Sequence, residues 1–116
     1  MGIDRRDYLI YGWKLPYKMS DSNGKAIDFW DDKYLPMIEG HQGEVYSIIL
    51  DGMHGDYMIF GIVVQKAKEI YEGWDFVKID FHKYNAQRHE IIEKYVELFG
   101  KEPEDDPSFL LFSHFS

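Results

Sequence analysis

In several stretches of this chain apolar and polar positions alternate with a period of two, and over one long stretch the period lengthens to that of a helix. The strongest feature is residues 44–66, EVYSIILDGMHGDYMIFGIVVQK. Its flanks, 45–50 and 57–64, are rich in β-branched and aromatic side chains, which suit a pleated surface. In the second flank both alternating sets are apolar: Tyr57, Ile59 and Val63 on one side, Met58, Phe60, Ile62 and Val64 on the other. A strand apolar on both faces belongs at the centre of a sheet that is covered on both sides. Gly52 and Gly55 supply positive φ, and Asp51 and Asp56 favour a reversal, so the stretch predicts a hairpin. Gly61 marks a bulge or a close approach by another group.

Residues 7–15 (DYLIYGWKL) predict a first strand, with Leu9, Tyr11, Trp13 and Leu15 on one face and Tyr8 and Ile10 on the other. Pro16 has no N–H to donate and ends its pairing. Residues 18–27 read as a loop, with Asn23-Gly24 the strongest turn signal. Asp28 is a candidate cap for a short helix over 29–35, which Pro36 limits. After the hairpin, 67–73 fits either a strand or a turn, whereas 74–81 (WDFVKIDF) alternates as a half-buried strand. Residues 85–99 predict the one long helix, with Asn85 as N-cap and a stripe of Ile91, Ile92, Tyr95, Val96 and Phe99. Gly100 and Pro103 stop it. Residues 108–115 (SFLLFSHF) close the chain as a strand, apolar enough to predict pairing inside the sheet. The pattern gives a single α+β domain over 1–116: a mostly antiparallel, five-stranded twisted sheet with one long helix packed on a face. A short helix precedes the central hairpin, and the 16–43 segment is expected to cover part of the opposite face.

Composition narrows the function classes. The chain has 116 residues, 21 acids against 13 bases, a net charge of -8 and no cysteine. That balance disfavours direct contact with nucleic acid or an anionic membrane and permits a protein partner with a basic surface. Without cysteine there is no disulfide framework and no thiol chemistry. The start is charged at Asp4, Arg5, Arg6 and Asp7, and no apolar run approaches membrane-spanning length, so the expectation is a cytoplasmic protein. Charge is spread evenly between the two halves, and only residues 102–106 form an acidic cluster.

Candidate chemistry is sparse. Asp51, His54 and Asp56 place two carboxylates and an imidazole within one turn, a set that suits a hard metal or a general base. The same residues serve a hairpin turn for backbone reasons alone, and that reading carries more weight. His41, His54, His82, His89 and His114 are scattered, with no helical zinc spacing, nucleophile elbow or phosphate-binding glycine pattern. No cofactor is implied. The aromatic surplus is more informative: 17% of the chain, with Tyr8, Tyr11, Trp13, Tyr17, Phe29, Trp30 and Tyr34 in its first third. Most of these rings are expected in the core, and any left exposed favour a protein interface.

The combination of YLIYGWKL, the aromatic hairpin ILDGMHGDYMIFGIVV and small acidic size resembles the short proteins carried by bacteriophages of Gram-positive bacteria. The resemblance is one of style over most of the chain and carries no functional residue. It implies a protein made to bind and block a host enzyme or defence component in the host cytoplasm. The sequence therefore points to a non-enzymatic binding protein with Trp13, Tyr17, Trp30 and Tyr34 as contact residues. Glu102, Glu104, Asp105 and Asp106 would form its acidic edge, and an unpaired strand edge at 108–115 or 7–15 would permit a homo-oligomer. The alternative is a small-ligand binder or metal-dependent enzyme with its site at Asp51, His54 and Asp56.

Overall fold

The computed structural model describes residues 5–38, 45–51, 54–66 and 78–115. Four strands lie within them: β1 (Arg5–Pro16), β2 (Tyr46–Leu50), β3 (Tyr57–Lys66) and β4 (Ser108–Phe115). They form one antiparallel sheet in the order β2-β3-β1-β4, with a single long helix, α1 (Phe81–Phe99). The α+β class and the hairpin follow the sequence, with Tyr46 opposite Ile62 and Leu50 opposite Met58.

The alternation in β1 and β3 sorts side chains as the sequence predicts. Tyr11, Trp13, Met58, Phe60 and Ile62 face α1 and share a core with its Tyr84, Ile91, Tyr95, Leu98 and Phe99. Tyr8, Ile10, Ile49 and Ile59 form a second buried cluster, with Val63, Leu110 and Phe112 packed against it. The close approach expected at Gly61 is to Gly12, its direct partner on β1. A Cβ on Gly61 would lie 2.4 Å from the Tyr11 carbonyl oxygen, and one on Gly12 would lie 2.0 Å from that of Phe60. The register slip falls elsewhere, between Leu9 and Ile10 opposite Gln65 and Val63.

Several expectations need correction. The described sheet has four strands, not five. Of the expected strand at 74–81, residues 74–77 lie outside the described set and Lys78, Ile79 and Asp80 are not in a strand. Phe81 instead opens α1, because the Asp80 carboxylate accepts the Lys83 N–H at 3.1 Å and caps the helix there. Asn85 sits a turn inside. The far end stops as predicted, at Gly100 with φ 72°. The buried stripe keeps Ile91, Tyr95 and Phe99, leaves Val96 36% exposed, and gains Tyr84 and Leu98.

The short helix shrinks to a 3-10 turn at Leu35–Met37. Asp28 accepts the Trp30 N–H two residues on, at 2.9 Å, and so closes a local turn rather than capping a helix. The described part of the 16–43 segment, 16–38, packs on the helix side of the sheet: Met19, Phe29, Tyr34 and Met37 join the core that α1 closes, and residues 39–43 lie outside the described set. Finally, among the described strands β4 lies at an edge and β1 inside. Burial explains the order. Ile10 and Trp13 of β1 are covered on opposite faces, whereas Leu111 of β4 is 69% exposed.

Candidate interaction site

The hairpin loop shows why its carboxylate is there. Asp51 is 5% exposed, and its two carboxylate oxygens accept the backbone N–H groups of His54 at 3.1 Å and Asp56 at 3.0 Å. Its own N–H donates to the Tyr57 carbonyl, and its carbonyl accepts from Gly55, whose φ is 66°. These bonds satisfy turn donors that would otherwise stand open at the end of the ladder. His54 and Asp56 are exposed. Among the described residues no three His, Asp or Glu side chains are grouped to hold a metal ion. Tyr57, beside this loop, has its phenol pKa raised by burial and by the Asp51 charge.

The four aromatic candidates divide. Trp13 is core: its ring lies parallel to Phe60 at 5.9 Å and meets Tyr95 at 4.9 Å. Tyr34 is core as well, with its hydroxyl donating to the Leu98 carbonyl at 2.7 Å. Neither presents a contact surface. Tyr17 is half-buried, close enough to the hairpin loop that a Cβ on Gly55 would stand 3.9 Å from its ring. Trp30 alone of the four is open to solvent, 74% exposed, on the turn that Asp28 closes.

The acidic candidates Glu102, Glu104, Asp105 and Asp106 are all exposed. Their loop is fixed from within and from the side. The Trp13 indole N–H donates to the Asp105 carbonyl at 2.8 Å, and the Asp106 carboxylate pairs with Arg88 of α1. The tie to Trp13 joins one sequence candidate to another, in a role that spacing could not reveal across 92 residues.

Sequence reading also missed what folding does to charge. The 17–38 segment packs against the end of α1, as the Tyr34–Leu98 bond and the nearness of Ser22 to Gly100 show. A cleft of about 490 Å³ lies between them, lined by Asp21, Asp28, Asp31, Lys33 and Glu97. A second, of about 270 Å³, lies beside Trp13, Met19, Tyr95, Lys101, Glu102 and Glu104. Segments 17–38 and 97–107 thus meet, and between them they hold nine carboxylates against four lysines. Arg88 pairs with Asp106 and Lys94 with Glu97 at their border, and the carboxylates still outnumber the bases there, although the two halves of the sequence are balanced. The tyrosines report the resulting field. Burial raises the Tyr34 pKa first and Asp31 and Asp21 add to it, while Tyr95 is raised by burial and then by Glu104.

No protein-family profile, curated protein or solved structure matches the chain. No described helix is long and apolar enough to cross a membrane.

Proposed function

We propose that this is a non-enzymatic binding protein whose acidic end docks onto a basic surface of a partner protein, with Trp30 as the anchoring side chain. The observation that carries this reading is Trp30 itself. A 74% exposed indole gains nothing from folding, yet it sits on a turn closed by Asp28 and beside Asp31 and Asp32. An exposed, pre-set tryptophan is the kind of residue that dominates binding energy at interfaces. Carboxylates around it steer a basic partner and speed encounter more than they tighten the final complex. Following the resemblance to small phage proteins, the partner is a host enzyme or defence protein that is blocked by occupation of its surface.

The test is capture from lysate of the cells in which the protein acts, comparing wild type with Trp30→Ala. Wild type should retain one protein in stoichiometric amount, with retention lost in the variant and weakened by salt. A lysate from which nothing stoichiometric is retained, or a protein held equally by both forms, overturns the reading.

A further inference from the structure

The chain has two asparagines, Asn23 and Asn85, and only Asn23 is followed by glycine. The pair Asn23-Gly24 sits at the tip of a small reversal. Ser20 and Ala26 bridge its base, the Asp21 carbonyl accepts the Gly24 N–H at 3.0 Å, and Gly24 has a φ of 79°. Glycine thus fills the left-handed position that closes a short hairpin loop. The Asp21 carboxylate holds the loop from one side, accepting the Asn23 and Lys25 N–H groups, each at 2.9 Å. Residues 22–26 are all exposed. A Cβ placed on Gly24 would meet nothing within 4 Å among the described residues outside its chain neighbours.

An exposed asparagine amide beside an unhindered main-chain nitrogen is chemically labile. The Gly24 nitrogen, once it gives its proton to solvent, attacks the side-chain carbonyl carbon Cγ of Asn23. The new N–Cγ bond closes a five-membered imide, the Cγ–Nδ2 bond breaks, and Nδ2 leaves as ammonia. Water, the one co-reactant, then opens the ring. Opening at Cγ leaves aspartate, whereas opening at the main-chain carbonyl leaves isoaspartate, with the chain running through the former side chain. Glycine favours the attack because it has no Cβ in the path and its main chain turns freely. The loop tip favours it because the Asn23 main chain can rotate at the loss of one bond, that from Gly24 to Asp21. Asn85 has neither advantage. It lies inside α1 before Ala86, where the helical ladder fixes the main-chain dihedrals.

We propose that Asn23 is a site of spontaneous deamidation in the folded protein, converting through the imide to aspartate and isoaspartate. Either product adds one negative charge to a chain of net charge -8, and adds it at the acidic end. Asp21 and Ser22 of this loop line the same cleft as Asp28, Asp31 and Glu97, and Ser22 lies against Gly100 at the end of α1. Isoaspartate also inserts a carbon into the main chain, which disturbs the spacing of the N–H groups that Asp21 accepts.

Trypsin places the two asparagines on separate peptides, 19–25 (MSDSNGK) and 84–88 (YNAQR). The full chain, kept folded at neutral pH and physiological temperature, should gain one mass unit on 19–25 over days. Peptide 84–88 should convert at least an order of magnitude more slowly. The acidic product should separate on anion exchange, one part eluting with Asn23→Asp and another accepting a methyl group from an isoaspartyl methyltransferase. Its rate should rise with pH, because the attacking nitrogen must first lose a proton. Asn23→Gln should abolish it, since glutamine would have to close a six-membered ring. A 19–25 peptide that stays unchanged in the folded chain, or converts only in urea, overturns the proposal. So does equal conversion of 84–88, or an acidic product undiminished in Asn23→Gln.

Discussion

Gly12 and Gly61 show how much a single methyl group decides in this fold. They face each other across β1 and β3, and a Cβ on either would overlap the opposing main chain rather than a side chain that can swing away. Gly61→Ala should therefore cost about 3 kcal/mol, read as a lower midpoint in urea unfolding. Tyr34→Phe should cost about 1–2 kcal/mol, because it leaves the Leu98 carbonyl without its partner in a buried setting. Gly61 was legible in the sequence, since a glycine inside a β-branched strand weakens it unless another backbone must come close. Trp13 and Tyr34 were not. An aromatic residue reads the same whether its polar tip reaches water or a distant carbonyl, and the Asp105 and Leu98 acceptors lie 92 and 64 residues away.

At the scale of elements, the alternating and apolar runs located all four described strands to within two residues, because burial leaves a clear pattern along a strand. The end of α1 was equally legible in Gly100. Its start was not, since Asp80 and Asn85 are both good caps and Phe81 fits the strand alternation that precedes it. Asp80→Ala should lower stability by about 1 kcal/mol through loss of the bond to the Lys83 N–H. Asn85→Ala, at an exposed interior position, should change stability little or raise it slightly, and comparison of the two melting curves checks the assignment. The position of β4 escaped the sequence because apolar content does not distinguish an inner strand from an edge one.

For the whole molecule, the consequential feature is the gathering of carboxylates where 17–38 meets the end of α1. It arises from tertiary contact, so no count along the chain reveals it. Tyr11, Tyr34, Tyr46, Tyr57 and Tyr95 all have phenol pKa values raised above 10.0, with burial the largest cause in each. A raised folded-state value means that the native state holds these protons more tightly than the unfolded chain. The contribution is fully present below about pH 10, the unfolded value, and is lost as pH rises through the higher folded values. Stability should thus fall above about pH 10, read as a falling midpoint in urea unfolding. A midpoint that stays level as pH rises above about 10 would contradict it.

The bond from the Trp13 indole to the Asp105 carbonyl links an outward-facing loop to a ring stacked deep against Phe60. Anything that tugs on that loop lengthens or breaks a bond to a chromophore sealed from solvent. Trp13 is therefore a native optical probe, and with Trp30 and Trp74 both replaced by Phe its emission should shift when residues 102–106 are engaged, with no dye attached.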